Sequence, residues 1–258
     1  MIFVSAVTVG DPVPEGCLVT PSLDDAVDAI CANDEDSLLV CSREAAARPS
    51  LVAREVLARG DVALVTLTGS PTQQALMLRA LHLLLPSTYG LSQSVVNAVR
   101  AQCRTRVALS SVARLSQARP SLMQHVRSLF PGASFDVDLV SGDVHSAKPI
   151  EWNVQGARDI CWAGCPDMGS LQVSLAGGRP TVVLPPSAES PYGARNWAEV
   201  SAIDDLELAV SRALTTVPTM SCRGCGRTTP MVGCPFCGTW IRSTVPAVQT
   251  PIAERRIS

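Results

Sequence analysis

Four cysteines near the C-terminal end carry the clearest chemistry in this sequence. They form two Cys-x-x-Cys pairs, Cys222 with Cys225 and Cys234 with Cys237, with eight residues between the pairs. Two thiolates with two residues between them can bind one metal ion, and the glycine after each pair lets the backbone turn back without a Cβ clash. Four sulfur ligands suit tetrahedral zinc and leave no position for a substrate water. We therefore predict a structural Zn²⁺ site made of these four cysteines.

Other interpretations of the four cysteines stay open at this point. Two disulfides, or four free thiols, are the simplest alternatives, and disulfides need an oxidising compartment to which nothing in the sequence points. Iron is the main competitor for the metal, because four thiolates also suit iron. A redox-active Cys-x-x-Cys usually lies at the start of a helix in a βαβ unit, which is not the setting here.

The stretch from about Met220 to Trp240 resembles the zinc-ribbon family, in which two such cysteine knuckles lie on short hairpins. The resemblance covers this stretch alone. It implies a structural metal that folds the segment and a surface that contacts a partner. The α/β region before it is not recognised as a member of any family.

The residues around the cysteines have a one-sided charge. No Asp or Glu occurs between Glu207 and Glu254, and Phe236 and Trp240 lie beside the knuckles. The arginines of this window are Arg212, Arg223, Arg227 and Arg242. A basic, aromatic ribbon is a candidate nucleic-acid contact. The alternatives are that the two aromatic residues form the small core of the ribbon, or that the ribbon contacts a protein.

The composition indicates a globular protein with an apolar surface. Hydrophobic residues make up 47% of the 258 residues, and charged residues only 17%, below the usual quarter. Such a surface favours a homo-oligomer or a protein partner, and the net charge of −2 provides no general field for polyanions. We expect a cytoplasmic protein with reduced thiols and no membrane span, because the first ten residues lack a basic n-region and no apolar run is long enough.

A strand–helix–strand rhythm in the first part of the sequence indicates an α/β fold. Residues 37–42 and 61–68 have the pattern of buried strands, and 73–85 has that of a helix. Repeated units of this kind are typical of a largely parallel sheet. We predict a mainly parallel, Rossmann-like sheet flanked by helices, with a later helix at 170–176 and a last strand at 180–185.

These patterns divide the chain into three predicted parts. Residues 1–216 form the α/β Rossmann-like domain, and residues 217–243 form the small C-terminal zinc ribbon. Residues 244–258 have no periodicity and two prolines, which indicates a flexible tail.

Small and polar residues at two predicted strand ends are the best candidates for a ligand site. Ligands of open parallel sheets bind beyond the carboxyl ends of the strands, and a Gly-Ser before a helix offers backbone N–H groups to an anion. The candidate ligand-binding residues are Thr68, Gly69, Ser70, Asp143, His145 and Lys148. The alternative is ordinary turn chemistry, with His145 as a solvated loop residue, because no nucleotide or nucleophile motif is present.

Three hypotheses for the function follow. The first is a cytoplasmic binding or assembly protein whose zinc ribbon presents a partner-contact surface for protein–protein interaction. The second is an enzyme or sensor that binds a nucleotide or a sugar phosphate at the strand ends. The third is nucleic-acid binding through the basic ribbon. No catalytic residue is identified, so the sequence does not decide whether the protein is an enzyme.

Overall fold

The computed structural model describes residues 2–5, 17–20, 22–41, 44–57, 59–231 and 233–239. Trp240, Arg242 and the predicted tail at 244–258 lie outside these residues. The helices are α1 (Leu23–Cys31), α2 (Glu44–Val56), α3 (Pro71–His82), α4 (Ser92–Gln102), α5 (Leu122–Arg127) and α6 (Leu206–Thr216), with a 3₁₀ helix at Pro86–Leu91. The strands are β1 (Ile2–Ser5), β2 (Cys17–Thr20), β3 (Ser37–Cys41), β4 (Val62–Thr66), β5 (Arg104–Leu109), β6 (Phe135–Asp138), β7 (Val144–Ser146), β8 (Ile150–Asn153), β9 (Asp159–Gly164), β10 (Val173–Ala176), β11 (Val182–Val183), β12 (Trp197–Ile203), β13 (Thr219–Ser221) and β14 (Thr228–Pro230).

The first sheet confirms the α/β prediction. Its strand order is β2-β1-β3-β4, and all its pairs are parallel. Strand β3 is a short apolar run that is buried along its whole length, as expected for a strand covered on both faces. One face packs on α1, where Ala26 and Ile30 contact Leu39 and Val62.

The second sheet differs from the predicted parallel arrangement. Its order is β11-β9-β12-β5-β6-β7, and only the β11–β9 pair is parallel. Strand β12 lies in the middle of this sheet, antiparallel to both of its neighbours. The helix predicted at 170–176 is wrong, because this stretch contains β10, which pairs in parallel with β8.

One continuous core connects the two sheets. Helix α3 packs against β9, β12 and α4, and α4 packs against α6. Side chains from the first sheet, the helices, the second sheet and the cysteine stretch share this core, among them Val65, Leu76, Val99, Phe135 and Phe236. Within the described ranges, no helix is both long enough and apolar enough to cross a bilayer.

The cysteine stretch is attached closely to the α/β body. Strands β13 and β14 form a two-stranded antiparallel sheet, and β14 packs against the 3₁₀ helix. The approach is close at Gly90, where an added Cβ would lie 1.9 Å from the backbone oxygen of Thr228. The predicted boundaries at 216 and 243 stay predictions.

Candidate metal centre and ligand cleft

Each Cys-x-x-Cys pair folds into a tight turn that directs both sulfur atoms to one point. The backbone N–H of Gly226 donates to the Cys222 carbonyl at 2.8 Å, and that of Gly238 donates to the Cys234 carbonyl at 3.0 Å. Both glycines have left-handed backbones, with φ of 76° and 69°. A side chain would be strained there, which explains the glycine after each pair.

The four sulfur atoms have the spacing of a tetrahedral metal site. All four lie within 4.8 Å of one another. The Sγ atoms of Cys222 and Cys237 are 3.5 Å apart, as are those of Cys225 and Cys234. Metal–sulfur bonds of about 2.3 Å at tetrahedral angles require sulfur separations of about 3.8 Å, whereas a disulfide requires about 2.05 Å. The arrangement fits a metal ion and does not fit two disulfides.

The thiols of the second knuckle differ in how easily they ionise. Burial opposes ionisation of Cys237, but hydrogen bonds from Thr239 and from neighbouring thiols lower its pKa to about 6. Burial raises the pKa of Cys234 to about 12. A thiolate is the form that binds metal, so Cys237 supplies one ligand already near neutral pH.

Arg227 fastens the ribbon to the α/β body. Its guanidinium donates to the carboxylate of Asp36 at 2.8 Å and to the Gly60 carbonyl at 2.6 Å. The same group lies 4.5 Å from the centre of the Phe236 ring. The Asp36 carboxylate and the neighbouring Cys225 raise the pKa of Arg227, which stays cationic beside the sulfur cluster. This charge partly offsets the net negative charge of a metal bound by four thiolates.

The second knuckle covers the outer edge of the first sheet. Strand β4 is the last strand of that sheet, and the Leu64 N–H donates to the Pro235 carbonyl at 3.0 Å. The buried Arg54 donates to the same carbonyl at 2.6 Å. Two residues along, the Gln93 carboxamide accepts from the Thr66 N–H at 3.2 Å and donates to its carbonyl at 3.4 Å. These contacts satisfy backbone groups that an open edge strand leaves unpaired.

This geometry corrects the interpretation of the ribbon as a contact face. Phe236 is only 2% exposed, and Arg227 is engaged by its own chain. Both residues therefore face the α/β body. Arg212 and Arg223 are exposed.

A cleft of about 760 Å³ opens beside the carboxyl end of β4. It is bounded by the start of α3, the end of α4, the loop after β5 and the turn after β6. Its lining residues are Gly69, Ser70, Gln73, Asn97, Arg100, Ala101, Cys103, Gln117, Leu139 and Val140. The structure thus brings two of the sequence-predicted residues, Gly69 and Ser70, to a cleft. Thr68 lies beside it, because its hydroxyl accepts from Arg100 at 2.7 Å.

Backbone N–H groups at the start of α3 are hydrogen-bonded to side chains of the same chain. The Thr72 N–H donates to the Glu199 carboxyl at 3.0 Å, and the Thr72 hydroxyl contacts the same oxygen. Tyr192 donates to the other oxygen at 2.6 Å. Glu199 is fully buried, and desolvation raises its pKa. The Ser70 N–H is taken by the Gln73 side chain at 3.1 Å. The Ser70 and Thr72 N–H groups are therefore engaged within the chain, and anion binding by the Gly69-Ser70 turn stays a prediction.

The other three predicted ligand residues lie elsewhere. Asp143, His145 and Lys148 are exposed and do not line the cleft. The Asp143 carboxylate accepts from the Ser141 hydroxyl at 2.7 Å, and His145 lies opposite Asp136 on β7, the outer strand of the second sheet. A role for these three in ligand binding stays a prediction.

Three residues of this region, Arg100, Asn97 and Glu199, were not among the predicted site residues. Arg100 and Asn97 lie three residues apart, so they share one face of α4, and this polar spacing was the available signal. Glu199 had no such signal, because a glutamate in a strand normally points to solvent.

The sequence matches no family model and no curated protein. Some solved structures resemble the chain at low identity. A DegV family protein from Eubacterium eligens, loaded with heptadecanoic acid, has 10% identity and a TM-score of 0.44 over 79% of this chain and 99% of its own. The Streptococcus pneumoniae fatty acid kinase B3 protein, loaded with linoleic acid, has 12% identity and a TM-score of 0.44 over 72% and 77%. A DegV family protein from Corynebacterium glutamicum has 9% identity and a TM-score of 0.42 over 79% and 96%.

The prediction of a binding or assembly protein that presents its ribbon for protein–protein interaction is wrong. The similar solved structures are described as DegV family and fatty acid kinase proteins, two of them loaded with fatty acids. In the chain itself, the ribbon packs inward. At these identities and TM-scores, the likenesses assign no ligand to this chain.

Proposed function

We propose that this protein binds an amphiphilic monoanion of the fatty-carboxylate class in the cleft beside β4. The observation that carries the proposal is Arg100, the one charged residue among the described residues that line the cleft. Its guanidinium is oriented by the Thr68 hydroxyl and forms no ion pair with any part of the chain that the structure describes. A carboxylate is the matching partner, because a guanidinium binds it with two parallel hydrogen bonds.

The remaining lining suits a ligand with an apolar part. Leu139, Val140, Ala101 and Cys103 offer aliphatic and thiol surface, and three carboxamides offer hydrogen bonds. The volume lies in the range of about 300–1,000 Å³ usual for small-molecule sites. Among the described residues, no aromatic side chain lines the cleft to stack a base, and one cation matches one negative charge. These features favour an acyl carboxylate over a nucleotide or a sugar phosphate.

We further propose that the four cysteines hold a structural Zn²⁺. Four sulfur atoms close to tetrahedral spacing, without a water or a substrate position, support a site that stabilises the fold. Elemental analysis of the purified protein distinguishes zinc from iron. A cytoplasmic location is part of the same proposal, supported by nine unpaired cysteines among the described residues.

The ligand proposal is tested by calorimetry with dodecanoate, dodecanol and AMP. Dodecanoate is expected to bind, and Arg100→Gln is expected to weaken it by at least about tenfold, because a hydrogen bond to a charged group contributes about 1.5–3 kcal/mol. Dodecanol is expected to bind more weakly and to be insensitive to the substitution.

Arg104→Gln is the matched control. Arg104 is also an exposed arginine, but it pairs with Asp204 at 2.8 Å and does not line this cleft. It should leave dodecanoate binding unchanged. Equal binding of dodecanoate by wild type and Arg100→Gln, or a preference for AMP, contradicts the proposal.

A further inference from the structure

Helix α5 and the turn that follows it present their apolar side to solvent. Five large apolar side chains of this segment are between 45% and 82% exposed. They are Leu122, Met123, Val126, Leu129 and Phe130. Leu122, Met123 and Val126 lie within α5, and Leu129 and Phe130 lie in the hydrogen-bonded turn that follows it. Exposed apolar patches of this kind mark interaction sites on soluble proteins.

The polar side of the same segment holds it to the protein. The Gln124 side chain donates to the Val144 carbonyl at 2.6 Å. The Ser128 hydroxyl accepts from the Val112 N–H at 3.0 Å and donates to the Gln124 carbonyl at 3.0 Å. Gln124 and Ser128 lie four residues apart and so share one face. The segment is thus inverted relative to an ordinary surface helix, whose apolar side faces the core.

The charge around this patch is positive. No Asp or Glu occurs between Asp61 and Asp136. Arg119 lies just before α5, and Arg127 is the last residue of α5. Both arginines are exposed, and neither forms an ion pair with a residue in the described ranges. Asp143, the acid closest in sequence to the Val144 contact, already accepts from Ser141 at 2.7 Å.

We propose that the segment 119–130 docks on an anionic lipid surface. Apolar side chains inserted among the head groups, with arginines beside acidic lipids, are the combination that interfacial helices use. A second copy of the chain fits less well, because a two-fold contact through this patch brings the same arginines together. Gln117, two residues before this segment, lines the cleft, so the segment begins close along the chain to the proposed acyl site.

Flotation of the full chain with vesicles tests this docking. Wild type is expected to float with vesicles of phosphatidylglycerol and phosphatidylcholine, and to bind pure phosphatidylcholine far less. Leu122→Ser/Leu129→Ser is expected to lower the partition coefficient at least tenfold. Arg119→Gln/Arg127→Gln is expected to lower it about fivefold per arginine on the anionic vesicles only.

Val56→Ser/Leu85→Ser is the matched control, because these side chains are 78% and 67% exposed and lie elsewhere. All variants are first shown to keep the wild-type melting temperature. Wild-type binding by the Leu122→Ser/Leu129→Ser variant, or no binding to anionic vesicles, overturns the proposal. So does a dimer in sedimentation that this variant dissociates. Arg100→Gln should still dock, so failure of the ligand proposal and failure of docking are distinguishable.

Discussion

Replacing Cys234 by serine is expected to lower the stability of the α/β body as well as that of the ribbon. Without four sulfur ligands, the second knuckle should lose the proposed metal that would hold its turn. Three contacts to the body then depend on a turn that is no longer fixed. They are the Leu64 N–H and the Arg54 guanidinium at the Pro235 carbonyl, and the buried ring of Phe236.

The size of the effect follows from these contacts. A backbone hydrogen bond contributes about 1 kcal/mol, and one from a charged donor about 1.5–3 kcal/mol. Burial of an aromatic side chain contributes about 1.5–3 kcal/mol. Together they amount to about 4–7 kcal/mol, a large part of the free energy of unfolding of a typical domain. At about 2–4 °C per kcal/mol for a chain of this size, the melting temperature should fall by at least about 8 °C.

Thermal unfolding followed by circular dichroism measures this shift, with the metal content of each sample determined in parallel. Hydrogen exchange at Leu64 gives a local reading, since its amide should lose protection in Cys234→Ser. Cys31→Ser is the control, because Cys31 is exposed on α1 and far in sequence from the cluster. A melting temperature unchanged after verified metal loss would refute the view that the knuckle supports the edge of the first sheet.

Three further predictions concern single side chains. Gly90→Ala is expected to destabilise the protein by more than about 1 kcal/mol in chemical denaturation, because the new Cβ would meet the Thr228 backbone oxygen; an unchanged midpoint contradicts the close approach. Phe236→Ala should lower the free energy of unfolding by about 3–5 kcal/mol, since the ring is buried. Glu199 has a raised pKa in the fold, so its contribution to stability is present below about pH 4.3 and is lost as pH rises towards the folded-state value. Glu199→Gln should flatten this part of the stability–pH profile, and an identical profile would contradict the assignment.

The sequence predicted the cysteine site well because metal ligation is local. Two cysteines with two residues between them and a glycine after each pair determine the knuckle almost independently of the rest of the chain. The parallel strands β3 and β4 could be predicted equally well, since continuous apolar runs between helical patterns have few other interpretations. The contacts of the ribbon could not be predicted from the sequence. They depend on Asp36 and Gly60, which are more than 160 residues away in the chain.

The central strand β12 was missed because its pattern does not show which face is inside. Ala198, Val200 and Ala202 pack in an apolar cluster with Ile150 and Trp152 on one face of the second sheet. Glu199 and Ser201 point to the opposite face. Both polar residues are completely buried there. Alternation of this kind is typical of a strand with one solvent-exposed face. Here α3 packs over that face and buries it. Segment 119–130 presents the reverse case, with an apolar side that faces solvent.

Contacts from the four-cysteine ribbon and from the buried Glu199 carboxyl flank the short stretch of chain that borders the cleft. Residues 67–70 connect β4 to α3, and Thr68 to Ser70 form one side of the proposed ligand site. The ribbon covers β4 just before this stretch through Pro235, and Glu199 holds the first turn of α3 just after it. Both ends of the connection are therefore fixed by groups that do not line the cleft. A binding site keeps its geometry when such supporting contacts hold its residues in place. Loss of the metal should consequently weaken dodecanoate binding even where the α/β body remains folded, although no cysteine of the ribbon lines the cleft.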